Sequence, residues 1–188
     1  PSSDFVVIPN AVDVPEMCST LKRPLIVSIG RVVGLKNQIL IEKAFCLLKD
    51  KYPEWNVEIW GEKTIERATT EILEKEVAAN GLTQRFVLKG PTNVVQDKLL
   101  NASIFAFPSK HEAFPLSLLE AMAAGVPCIG LKNCPGVNSI ISHGVNGLLS
   151  EDTPESYAEC LELLMRDEEL RIRLGKEARN SVKQYKPE

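Results

Sequence analysis

The strongest constraint in this sequence is its alternation of short apolar runs, rich in β-forming residues, with longer amphipathic stretches. The runs Leu25–Ile29, 57–60, 85–88, 103–107 and 126–129 read as buried strands. Residues 6–8 and 147–149 read as further short edge pieces. Between the runs lie helical patterns. Residues 35–49 place Ile41, Phe45 and Leu48 on one face, with Glu42, Lys43 and Lys49 largely on the others. Residues 64–79 form an amphipathic pattern around Ile65, Ile72 and Val77, and Asn80-Gly81 stops it. Residues 154–165 and 168–185 are two more helical stretches, the latter repeating Leu170, Leu174, Ala178 and Val182. Strands alternating with helices predict an α/β fold: a single Rossmann-like domain with a parallel sheet between helices. The domain is expected over residues 22–188, with residues 1–21 as an incoming linker and first short strand.

Ligands of such sheets bind beyond the carboxyl ends of the strands. Chemistry is therefore expected in the loops 30–36, 61–64, 89–93, 108–115 and 131–138. A net charge of -3 and the absence of a basic block argue against a general nucleic-acid or anionic-membrane binder. No run of apolar residues is long enough for a membrane span. The five cysteines, Cys18, Cys46, Cys128, Cys134 and Cys160, form no CxxC pair and are not spaced with His111 or His143 as zinc ligands. They read as buried free thiols of a reducing cytoplasm. The chain starts at Pro1 without a methionine or signal peptide, and reads as a segment of a longer protein.

Two segments carry candidate chemistry. Gly30-Arg31-Val32-Val33-Gly34-Leu35-Lys36 lies between a strand and its helix, and is neither a GxGxxG fingerprint nor a P-loop. It offers two glycines, a helix start and two cations. That set fits a diphosphate clamp, in which an arginine grips two oxygens and a lysine adds a point charge. The plainer alternative is that Arg31 and Lys36 are solvated surface cations. The second segment runs from Pro108 to Gly125. Ser109-x-x-Glu112 has capping-box spacing, but Pro115 would fall inside a helix begun there, so the helix is expected to start at Pro115. That helix is apolar nearly all round, through Leu116, Leu118, Leu119, Met122 and Ala123, with Ser117 and Glu120 as its polar stripe. A carboxylate on so apolar a helix needs a partner. Either a ligand's paired hydroxyls or an internal ion pair, with Arg31 or a lysine, would serve.

The frame from Pro108 to Pro127, with seven residues between Glu112 and Glu120, resembles the signature of glycosyltransferase family 4. Ile8-Pro9-Asn10-Ala11-Val12-Asp13 resembles the family's lead into its C-terminal domain. Gly30-Arg31 followed by Lys36 resembles its "GR…K" element, and Gly144-Val145-Asn146-Gly147-Leu148-Leu149 its "DGxNGxL". The resemblance implies the C-terminal half of a GT-B enzyme. Such an enzyme would be a retaining glycosyltransferase moving a hexose or N-acetylhexosamine from a nucleoside diphosphate, UDP above all, to a glycan or lipid-linked acceptor in polysaccharide biosynthesis. It implies that Gly30, Arg31 and Lys36 hold the diphosphate and that Glu112 contacts the donor sugar. It further implies that Glu120 binds the ribose, that the backbone of Ala113, Phe114, Pro115 and Leu116 touches the phosphates, and that Lys89 and Gly90 flank the base. Catalysis would fall to Arg31, Lys36 and Glu112, with no metal or other cofactor. The acceptor would be bound by an N-terminal domain missing from this chain, and any peripheral membrane association would come through that half.

The chain departs from the family pattern at Pro115 and His143, where glycine and aspartate are usual, and at Ser139, where glutamate is frequent. Gly61-Glu62-Lys63 lacks the second glycine of the usual "GxG". His111 is a loop side chain or a sugar contact. Two rivals share much of this reading: a non-hydrolysing UDP-sugar epimerase of GT-B fold, and a non-catalytic nucleotide-sugar-binding module.

Overall fold

The computed structural model describes residues 12–185, so the expected strand at 6–8 and the first four residues of the Ile8–Asp13 motif lie outside it. Among the described residues, six parallel strands form one sheet in the order β3-β2-β1-β4-β5-β6. They are β1 (Leu25–Ile29), β2 (Asn56–Trp60), β3 (Phe86–Gly90), β4 (Ile104–Phe107), β5 (Cys128–Leu131) and β6 (Leu148–Ser150). All five interior runs of the sequence are strands, and the run at 147–149 supplies the sixth. Every side chain of β4 and β5 is buried, as expected of central strands covered on both faces.

Among the described residues, seven α-helices connect and cover the strands: α1 (Gln38–Leu48), α2 (Arg67–Ala79), α3 (Val95–Leu100), α4 (Leu116–Ala123), α5 (Pro135–Asn138), α6 (Pro154–Arg166) and α7 (Glu168–Ser181). α1 packs against α2 and α6, and α4 against α3 and α7. Ile41 and Phe45 of α1 and Leu118, Leu119 and Met122 of α4 are fully buried. Among the described residues, no helix is long and apolar enough to cross a membrane.

The α2 face differs from expectation. Ile65 and Ile72 are more than half exposed, and the buried residues are Thr70, Leu73 and Val77. Thr70 turns inward because its hydroxyl donates to the Lys63 carbonyl at 2.6 Å, which satisfies it within the fold. α3 and α5 were not expected; six and four residues are too short to display a helical period. Cys128, Cys134 and Cys160 are buried as expected, but Cys18 is exposed and Cys46 intermediate.

The chain direction across the sheet reverses between β1 and β4. Strands β1, β2 and β3 step one way, and β4, β5 and β6 the other. The two loops singled out by the sequence follow β1 and β4, so they flank this switch point, where an open α/β sheet leaves a crevice.

Candidate functional site

The loop after β1 is held from three sides. Gln38, buried at the start of α1, donates its side-chain amide to the carbonyls of Arg31 (2.9 Å) and Gly30 (3.4 Å). Glu66 accepts from the Gly34 amide at 2.8 Å and from the Thr69 hydroxyl at 2.9 Å, and these bonds hold its carboxyl below the usual range. Gly34–Lys36 forms a single 3-10 turn, ended by Asn37 in the left-handed region at φ 55°. The helix therefore begins at Gln38 rather than within the loop, and Lys36 is presented from the turn. Its stem lies 3.7 Å from where a Cβ on Gly30 would sit.

The loop after β4 reaches across to meet it. The Lys110 amide donates to the Leu35 carbonyl at 2.9 Å, and the Ser109 hydroxyl to Glu112 at 2.6 Å. Lys36 and Glu112, 76 residues apart, form an ion pair through Nζ and Oε1, with side chains only 23% and 12% exposed. Lys36 also stands 5.5 Å above the Phe107 ring at the end of β4. It is thus no freely solvated cation. Arg31 is the contrast: exposed, with no side-chain hydrogen bond among the described residues, and registered electrically by Glu66.

Gly136 of α5 explains how the second loop is seated. A Cβ there would fall 2.2 Å from the Glu112 carbonyl oxygen and 3.3 Å from that of Ala113, so only glycine lets α5 pack this closely. α4 starts at Leu116, with the buried Pro115 at its N-cap position rather than as its first helical residue, and no described side chain caps it. A helix start left without a side-chain acceptor among the described residues, four residues after the Glu112 that pairs with Lys36, suits an anion. Ser117 donates to the Ile29 carbonyl at 3.2 Å, which ties the first turn of α4 to the end of β1.

Glu120 lies one turn further along. It is half-buried, has no hydrogen bond or ion pair among the described residues, and burial alone raises its pKa. The internal ion pair considered from sequence is absent there. Instead the residue lines a cavity of about 240 Å³, with Val12, Asp13, Leu116, Val95, Gln96 and Leu99 among its neighbours. The last three come from α3, and nothing in their sequence marked them as site residues.

Lys89 and Gly90 are the last residues of β3, not a loop. The Lys89 ammonium is 3.6 Å from Glu58 and 6.0 Å from the Trp60 ring, so the structure engages it there rather than with the Lys36–Glu112 pair. The Gly90 carbonyl accepts from the Gly61 amide at 2.8 Å. His111 is an exposed loop residue. The Gly144–Leu149 motif is architectural. The buried Asn146 accepts from the Ser142 amide at 2.7 Å and donates to the Ile140 carbonyl at 3.0 Å, closing the turn before β6.

A sequence profile of the family described as "Glycosyl transferases group 1" matches residues 18–181. An uncharacterized glycosyltransferase of Haemophilus influenzae is 29% identical over 181 residues, 94% of this chain and 49% of that protein. The chain thus spans about half the length of that curated relative. Among solved structures, a mutant of S. aureus TarM in complex with fondaparinux, alpha-GlcNAc-glycerol and UDP matches with a TM-score of 0.81 and 25% identity. That match covers 97% of this chain and 36% of TarM. The C-terminal domain of a glycosyl transferase group 1 family protein from Francisella tularensis matches with a TM-score of 0.79 and 24% identity, over 97% of both chains. The fold is thus that of the GT-B glycosyltransferase domains, and with nearly the whole described length inside the matched profile, this chain belongs to the glycosyl transferases group 1 family.

Proposed function

We propose that this chain is the donor-binding, C-terminal half of a retaining glycosyltransferase of family 4, one that takes a UDP-sugar and serves a glycan or lipid-linked acceptor. The observation that carries the reading is the division of labour in the crevice. An uncapped helix start follows the loop whose Glu112 pairs with Lys36, and one turn along that helix stands a carboxylate, Glu120, that no described residue satisfies. UDP in the TarM complex and the match to an isolated C-terminal domain support it further.

In this reading the diphosphate lies against Arg31, Lys36 and the first turn of α4. As the bond from the anomeric carbon to the phosphate oxygen breaks, negative charge grows on the leaving UDP. The cations and backbone amides stabilise that charge in place, without needing to reorganise. Glu112, whose Oε1 is already bound to Lys36 and Ser109, orients the lysine and offers its other oxygen to the donor sugar. Glu120 accepts from the two ribose hydroxyls, which replace the water its half-buried carboxylate would otherwise need. Binding groups on this half supply charge and position, while the acceptor and the rest of the cleft belong to the N-terminal half. The isolated chain therefore transfers nothing, and the reaction runs where nucleotide sugars are made, in the cytoplasm.

Calorimetric titration of the chain with UDP, GDP and ADP tests this. The reading requires UDP to bind and Lys36→Ala and Glu120→Ala each to weaken it. Stronger GDP or ADP binding would reassign the donor, and nucleotide binding unmoved by either substitution would remove the site. Turnover of a UDP-sugar by the full-length protein without any acceptor would favour an epimerase instead.

A further inference from the structure

The Lys36–Glu112 pair is assembled from two loops, and a third element grips both. Asp152 follows the edge strand β6, on the same carboxyl-end side of the sheet as those two loops. Its Oδ1 accepts from the Asn37 side-chain amide at 2.9 Å, and its Oδ2 lies 3.0 Å from the Lys110 ammonium. Asn37 is the residue after Lys36, and Lys110 is two before Glu112. One carboxylate therefore bridges the residues that flank each partner of the ion pair.

We propose that Asp152 is a positioning residue for the donor site, acting through Asn37 and Lys110 to hold the two loops in register. Asn37 needs such a hold. Its backbone is left-handed, a conformation that Asn tolerates better than most residues but does not prefer. It also joins the 3-10 turn to α1: its amide donates to the Gly34 carbonyl, and its own carbonyl accepts from the Leu40 amide. Fixing its side chain fixes the direction in which the preceding Lys36 leaves the turn. On the other arm, Lys110 is bound to the first loop through its backbone, at Leu35, and to Asp152 through its ammonium. Holding that ammonium on Asp152 also keeps it from competing with Lys36 for Glu112. Asn37 is buried, whereas the Lys110 and Asp152 side chains are 47% and 37% exposed. An isolated pair as exposed as the latter contributes little stability. The role inferred here is geometric and predicts an effect at the site without a matching effect on the fold.

The binding arm of the test rests on the proposed donor site, so a second arm is independent of it. In the free chain, Asp152→Ala is expected to shift the backbone amide resonances of Lys36, Asn37, Lys110 and Glu112. The thermal midpoint should stay within about 2 °C of wild type. UDP affinity should fall about tenfold for Asp152→Ala and less for Asp152→Asn, which keeps an acceptor for Asn37; Lys110→Met should resemble Asp152→Asn. Resonance changes confined to residues 150–154, or unchanged UDP affinity in a wild type that binds UDP, would overturn the proposal. If wild type binds no UDP, the donor reading fails, and the amide shifts alone decide whether Asp152 holds the two loops.

Discussion

Glu112 and Glu120 stand eight positions apart in one segment, yet the protein treats them in opposite ways. Glu112 is consumed internally: Lys36 and Ser109 bind one of its oxygens, and Gly136 packs against its carbonyl. No described residue satisfies Glu120, which is half-buried at the rim of a cavity, with its pKa raised by burial. A buried carboxylate without a partner is a stability liability, so the difference separates a group that builds the site from one that waits for a ligand.

The sharpest way to break that contrast is Glu120→Ala. Loss of charged hydrogen bonds to a ligand costs ~1.5–3 kcal/mol, so UDP affinity should fall about 10- to 150-fold in a calorimetric titration, while the fold stays intact. Gly136→Ala probes the other side. Its Cβ cannot coexist with the Glu112 carbonyl, and overpacking of this kind destabilises by ~1–3 kcal/mol, visible as a midpoint lowered by roughly 2–10 °C in a thermal melt. Glu112→Gln should distinguish ligands. UDP-sugar binding should weaken about tenfold, as for one charged hydrogen bond, and UDP binding less, because the proposed sugar contact is lost. Equal losses for both would assign Glu112 to positioning Lys36 alone.

The smallest effect is Glu120→Gln in the free protein. A carboxyl whose folded pKa is raised favours the fold most when protonated, below the ordinary carboxylate value of 4.5, and that advantage is lost as pH rises through the raised folded value. The neutral amide escapes this loss. At neutral pH its thermal midpoint should therefore exceed that of wild type by ~1–2 °C, and the gap should close in acid. A gap that widens in acid would contradict the assigned cause.

Much of this was legible in the sequence. Apolar runs marked the strands because central parallel strands are buried on both faces, and β1 is found at the residues expected. Arg31, Lys36 and Glu120 stood out because charges beside glycines or on an apolar helix are anomalous, and Glu112 because the frame it shares with Glu120 resembles the family signature. The partners of those residues were not legible. Ser109 has the spacing of a helix cap, but Pro115 moves the helix on, and its hydroxyl is spent on Glu112 instead. Gln38 and Asp152 act through tertiary contacts that leave no local pattern. Val95, Gln96 and Leu99 reach the cavity on a helix too short to show a period. The loop expected from residue 89 starts later, because β3 runs on through Gly90, and the Lys89 side chain meets Glu58 and Trp60.

A crystal structure of this chain with UDP tests the central claim most directly. The account predicts the ribose hydroxyls within hydrogen-bond distance of Glu120 and the diphosphate against Arg31, Lys36 and the start of α4. UDP lodged elsewhere, for instance over Trp60 and Lys89, with the Glu120 cavity empty, would contradict it.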